Sequence, residues 1–414
     1  MAYDAETAAS SAPPARPYDG PPDYRVVGRH GMYPDTTHDE IARFNFLAHM
    51  NRHLATKVMP GVKEAFDARV EPGFRRKEGR DFRDRHEVRK ALVRDPMFQW
   101  WSLLRRATME SRQQAGRWVT LRQAGDLNAR AAALTAGDPR LKLDPAVKLP
   151  RYVEAIDHHC MPGSYHTEVV PGDVTGACNY DAGIFATTGG MLGRYNDGGG
   201  KAIAAWVRKN LPDLKPRRIL DLGAGLGHNV LPIAEAFPDA EVVAVDVGAP
   251  MLRYGLARAK TMGIENVTFV QGDVSDLSDF EDGSFDLIHS CMFLHETSYV
   301  SMPKIFAETH RLLAPGGMVL HVEQPQYDPA MPLFEQAMRD WDAFYNNEPF
   351  WTKMHELDLD AAMVAAGFER DRLVHGGVAA IVDPEVFPEA AKDTGQEDYG
   401  RKAAWHVVGA VKAA

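Results

Sequence analysis

Cysteine is scarce in this chain. Cys160, Cys178 and Cys291 are its only three among 414 residues. They are too few and too scattered for a disulfide framework or a zinc ribbon, and a reducing cytoplasm is the expected setting. No apolar run approaches the roughly 18 residues that a membrane span needs. The first residues are rich in Ala, Ser and Pro, with no basic stretch leading into an apolar one, so no secretory signal is expected. No RNA-binding module signature is present either.

Net charge is −10 and unevenly spread. Residues 41–140 hold 21 Lys and Arg against 11 Asp and Glu, a local charge of +10, which leaves −20 for the remainder. Such asymmetry can mark a nucleic-acid grip. Here the basic residues alternate with acids, as in RRKEGRDFRDRHEVRK. That favours docking on the acidic remainder, or on a second copy as a homodimer through the N-terminal helices.

Four regions follow from the patterning. Residues 1–35 are Pro-rich and read as a flexible or draped arm. Residues 36–140 read as a helical domain. THDE (Thr37–Glu40) is a capping-box arrangement, Ile41, Phe44, Leu47, Met50, Leu54 and Val58 follow at helical spacing, and Pro60 ends or kinks the element. A second box-like start lies at Asp84–Glu87, and Met97–Val119 reads as one long aromatic-rich helix. Residues 141–200 are rich in Gly, Pro, His and Tyr without a repeat, as expected of a lid or binding connector. From 201 to 414, helices and strands alternate, which predicts an α/β, doubly wound, mostly parallel sheet. An aromatic insertion spans 326–367, and late strands fall near Leu373–Val382 and Trp405–Val411.

RRILDLGAGLGHNV supplies the first strand and a turn with Gly223, Gly225 and Gly227. Glycines there let backbone approach a ligand that a Cβ would push away. The following helix points its positive end at the site. Asp246 closes the second strand, where a carboxylate can accept both hydroxyls of a ribose. The spacing is G-x-G-x-G, whereas the dinucleotide fingerprint would require a third glycine where His228 stands. Asp221, at the strand end, suits a ligand with an amino or sulfonium group better than a pyrophosphate.

DLGAGLG resembles the first motif of class I S-adenosylmethionine-dependent methyltransferases. Asp246 is similar to their ribose acid, Gly272-Asp273-Val274 to their adenine segment, Phe280–Glu296 to their fourth-strand motif, and Arg311–Glu323 to their fifth-strand turn. The motif style is closest to the small-molecule branch that includes ubiquinone and menaquinone methyltransferases, whose N-terminal third differs from this one. The resemblance implies a Rossmann-like sheet of seven strands and S-adenosylmethionine as cofactor. It implies cofactor contacts from Asp221, Gly223, Ala224, Gly225, Gly227, His228, Asp246, Val247, Asp273, Val274 and Ser290, and from Tyr180 of the upstream Tyr180-Asp181 pair.

Ser290-Cys291-Met292-Phe293 lacks the proline pair of enzymes that methylate exocyclic amines, which disfavours that chemistry. His295, Glu296 and Glu323 sit at strand ends opening on the site and are the candidate catalytic residues; a histidine suits a base near neutral pH. His166, Trp341, Tyr345 and Trp351 are candidate acceptor contacts. His158, His159, His166, Cys160 and Glu168 do not have closed zinc-site spacing, and no metal is expected. The expected activity is methyl transfer to a small-molecule acceptor, first to oxygen. Carbon methylation of a quinone- or lipid-like acceptor is the alternative, and RNA methylation using the basic segment is a more distant one.

Overall fold

The structure, a computed structural model, describes residues 20–387 and 404–413. Eight strands form one sheet: β1 (Leu141–Lys142), β2 (Arg218–Leu222), β3 (Glu241–Asp246), β4 (Val267–Gln271), β5 (Phe285–Cys291), β6 (Leu313–Glu323), β7 (Leu373–Ala379) and β8 (Ala404–Val411). Their order is β1-β4-β3-β2-β5-β6-β8-β7. Pairing is parallel from β1 through β6, and β8 runs antiparallel between β6 and β7. The sheet has one strand more than expected. The extra one, β1, comes from the connector and pairs Leu141 with Phe269 and Lys142 with Val270. Two residues leave no periodicity to read.

β2, β3 and β5 are buried along nearly their whole length because both faces of the sheet are covered. Ile203, Val230, Leu252 and Leu256 pack on one face with Ile219 and Val242. Ile305, Phe306, Leu359 and Met363 pack on the other with Leu220 and Ile288. Strand order reverses between β2 and β5, so a crevice opens outside their carboxyl ends.

The N-terminal region is helical. Thr37 caps the first helix, His38–His53, with both bonds of the capping box in place. Pro60 does not end the helical path. A π turn at Leu54–Val58 precedes the segment Met59–Ala65, and a second at Phe66–Val70 precedes Glu71–Glu78. In both segments the proline lies in the first turn. The wider turn shifts the bonding register so that no amide is required of the proline. The long helix Pro96–Leu121 is capped by Asp95 and packs along Thr175–Thr188.

Residues 1–19 of the expected arm lie outside the described residues. Residues 20–35 are packed rather than draped: Tyr24 and Met32 are fully buried, Tyr24 stacks on Phe44 at 4.5 Å, and its hydroxyl donates to the carbonyl of Ala182. Two cations of the basic segment pair with acids of the insertion. Arg85 pairs with Asp340 and Glu356, and Arg105 with Asp342, all in the insertion.

Candidate active site

The turn after β2 is shaped by close approach. Gly223 has φ +73°, and a Cβ there would lie 2.2 Å from the Phe293 ring. In front of Gly225 the space is open, with nothing within 4 Å of an added Cβ. Asp246 accepts hydrogen bonds from the amides of Gly225 and Gly248, each at 2.8 Å. Burial raises its pKa, and those amides counter part of the rise. Val247, Gly272 and Val274 continue the wall of a cavity of about 330 Å³ that also takes in Gly223, Ala224, Gly225 and His228. An acid at a strand end, open backbone before it and two valines beside it fit an adenosyl group: hydroxyl acceptor, close-approach surface and apolar slot.

Beyond the turn the cavity is walled by Met109, Arg112, Tyr152, His159, Tyr165, Tyr180, Met292, Phe293, His295, Glu296, Glu348 and Trp351, among others. Met292 follows β5 with φ 53°, a left-handed conformation that non-glycine residues hold only where the surrounding structure enforces it. The chain then folds into the short turn Leu294–Glu296. Glu323, at the end of β6, holds that turn by accepting from the amides of Phe293 and Leu294 at 2.6 and 2.5 Å, and by pairing with His295 Nδ1 at 2.7 Å. Burial lowers the pKa of His295, but Glu323 and then Glu348 outweigh it and bring it to about 9. His295 is therefore an imidazolium at neutral pH, a fixed charge or proton donor rather than the neutral base expected from its type.

Glu296 accepts from Tyr165 Oη at 2.8 Å and His159 Nε2 at 2.9 Å. Burial works against its charge, but His159 and its neighbours hold its pKa well below the carboxylate range. On the other side of the same imidazole, Nδ1 lies 2.5 Å from Glu348 Oε1. Burial disfavours charge on His159, yet Glu348 and Glu296 hold its pKa well above the usual value.

Several expected residues do not reach the cavity. Asp221 is buried behind the turn, 3.1 Å from His289 Nδ1, with its pKa raised well above normal by burial and by Asp246; it does not line the cavity. Ser290 lies on the opposite face of β5 and bonds His321, because alternate residues of a strand point to opposite sides. Gly227 packs on Leu231. Asp273 turns aside to cap Ser275, leaving Gly272 and Val274 on the wall. Glu323 is enclosed beneath the turn it supports. His166 stands off the wall. Trp341 packs on Trp101 and donates to Ser102, and Tyr345 packs on Trp341; both serve the joint with the N-terminal helices. Tyr180 and Trp351 do line the cavity.

Tyr165, Arg112 and Glu348 are not among the residues expected at the site, and His159 enters the sequence reading only in the cluster for which no metal is expected. The doubled histidine in a glycine-rich segment and the acid of NNEP inside an aromatic run are the signals that were available. Asp181, next to Tyr180, is a hub: it accepts from His30 Nε2, His228 Nε2 and Tyr254 Oη, each at 2.8 Å. It thereby ties the arm, the glycine turn and the helix Ala249–Thr261 to the helix that carries Tyr180.

A family profile described as a methyltransferase domain matches residues 219–317. An uncharacterized methyltransferase of Synechocystis is 30% identical over 193 residues, covering 46% of this chain and 86% of that protein. A demethylmenaquinone methyltransferase of Thermus thermophilus is 37% identical over 182 residues, covering 40% of this chain and 81% of that protein. Among solved structures, a putative O-methyltransferase from Nostoc punctiforme aligns at TM-score 0.40 and 16% identity, over 56% of this chain and 59% of that one. Sequence motifs, strand order and relatives agree: the chain belongs to the class I S-adenosylmethionine-dependent methyltransferases.

Proposed function

We propose that this methyltransferase acts on an oxygen of a small, largely apolar acceptor held in the cavity between the glycine turn and Trp351. The methyl group leaves sulfur as the S–C bond breaks, with the electron pair remaining on sulfur. The new O–C bond forms in line, and the hydroxyl proton departs. Asp246 takes the ribose hydroxyls, and Val247 and Val274 flank the adenine. Tyr180 stands at the methionine end with His228. Alignment of donor and acceptor supplies about 7–11 kcal/mol, and a proton acceptor a further 10²–10⁴-fold.

One observation carries the choice of oxygen: Glu296 and Glu348, two carboxylates on the cavity wall, flank the single imidazole of His159. Glu348 receives the hydroxyl proton, while Glu296 and Tyr165 hold the His159 imidazole in place beside it. Met109, Met292 and Trp351 supply the apolar side of the acceptor pocket. The test is methyl transfer from labelled S-adenosylmethionine to an extract of the source cells, with the product identified by mass spectrometry and NMR. Glu296→Gln should lower kcat by about 10²–10⁴-fold with little change in cofactor affinity. A labelled product on RNA or protein refutes the reading.

Carbon methylation of a quinone-like ring is the second reading, favoured by the relative named as a demethylmenaquinone methyltransferase. A new carbon–carbon bond in the product decides for it.

A further inference from the structure

Glu348 is a buried acid whose close cationic neighbour is His159, with Nδ1 2.5 Å from Oε1. Its side chain is 1% exposed, and its second oxygen, Oε2, has no partner among the described residues nearer than His295 Nε2 at 4.0 Å. It faces His159, whose other ring nitrogen faces Glu296, and one ligand atom from each of the three lies within 4.8 Å of the others. The three come from separate segments: the short turn His158–Cys160, the turn Leu294–Glu296, and the loop that follows Trp341–Tyr345. Two of those segments hold left-handed non-glycine backbone, His159 at φ 53° with Cys160 at 56°, and Asn347 at 55°. Such conformations cost about 1–3 kcal/mol each and cluster at ligand sites. Here they direct His159 and Glu348 to the same point on the cavity wall.

We propose that His159, Glu296 and Glu348 form a seat for one divalent transition-metal ion. One imidazole nitrogen and two carboxylates are a donor set for Mn²⁺, Fe²⁺, Co²⁺ or Zn²⁺. Binding an ion displaces the proton of the His159 imidazole, and the two carboxylates then balance a dication, while the adjacent Glu323–His295 pair is already balanced. Tyr165 Oη donates to Glu296 and orients it, the kind of outer contact that fixes a ligand. The remaining coordination positions open on the cavity. This differs from the sequence expectation of no metal, which rests on His158, His159, His166, Cys160 and Glu168; the fold uses His159 alone of these and draws two acids from distant segments. The ion's task rests on the oxygen acceptor proposed above: it would polarise the hydroxyl so that its proton is lost to water in the cavity, in place of transfer to the carboxylates that hold the ion. Its binding does not depend on that reading.

The protein is first dialysed against a chelator, then titrated with Mn²⁺ while the free ion is followed by electron paramagnetic resonance. One ion per chain is expected. Glu348→Gln and His159→Asn should each weaken it at least about tenfold while leaving S-adenosylhomocysteine affinity unchanged. Where either variant does not melt cooperatively, Glu296→Gln takes its place. No saturable Mn²⁺ binding, or equal binding by wild type and variants, overturns the seat. Oxygen methylation by ion-free protein that binds no Mn²⁺ overturns the seat alone. A bound ion with a carbon-methylated product upholds the seat and overturns the oxygen reading.

Discussion

Glu323 fixes the protonation of His295, and that has a measurable consequence. The imidazole pKa rises from 6.5 to about 9 in the folded chain. A raised pKa stabilises the fold fully below about pH 6.5, and the contribution is lost as pH climbs through 9. The rise corresponds to about 3 kcal/mol. The melting temperature should therefore fall between pH 7 and pH 10, and Glu323→Gln should flatten that fall; an unchanged pH profile in the variant contradicts the pairing. Asp246 is the second residue whose role can be weighed. A charge-assisted bond to a ribose hydroxyl is worth roughly 1.5–3 kcal/mol, about 10- to 150-fold in Kd. Asp246→Ala should weaken S-adenosylhomocysteine binding by at least that much for each bond lost. Calorimetry giving equal affinity in the variant removes Asp246 from the cofactor site. Asp246 was legible because strand-end acids follow the glycine turn at a characteristic distance. Glu348 was not, because its meaning depends on His159, far away in the chain.

Two helices form the wall that carries Tyr180. Pro96–Leu121 and Thr175–Thr188 approach so closely at Gly116 that a Cβ there would lie 2.1 Å from Asn179 Oδ1. An alanine in a helix interior ordinarily gains about 1 kcal/mol over glycine. Here overpacking should win, at about 1–3 kcal/mol. Gly116→Ala is thus expected to lower stability in a denaturant melt, and a more stable variant contradicts the close approach. The long helix was readable from its aromatic and apolar spacing. That this glycine marks a crossing was not, since an isolated glycine in a helical pattern looks the same whether it faces solvent or a neighbour. β1 escaped for a similar reason: two residues carry no alternation, and only the open edge of β4 makes them a strand.

Across the whole molecule the N-terminal helices and the sheet domain share cores. Met32, Leu127 and Val174 pack with Leu226, Met251 and Tyr254, and Val62, Phe66 and Trp101 pack with Phe334 and Trp341. Asp181 is the polar counterpart of this joint. Burial raises its pKa, but Arg258 and then His228 outweigh that and keep it ionised well below its usual range. Breaking a buried network of this kind costs about 3–5 kcal/mol. Asp181→Ala should therefore lower a single unfolding transition, with tryptophan fluorescence and cofactor binding lost together. Two separated transitions contradict a shared core.

The alternation of apolar runs, the glycine spacing and the acid closing β3 were enough to specify the sheet, the family and the placing of Asp246 beside the glycine turn, because each is a local pattern with a local physical cause. Facing was decided only by the tertiary structure. Strand alternation sent Ser290 away from the cavity, a buried carboxylate turned His295 into a cation, packing drew Trp341 into the N-terminal core, and three distant segments brought His159, Glu296 and Glu348 to one point. Side-chain direction and charge depend on neighbours remote in sequence, and those neighbours are set when the chain folds.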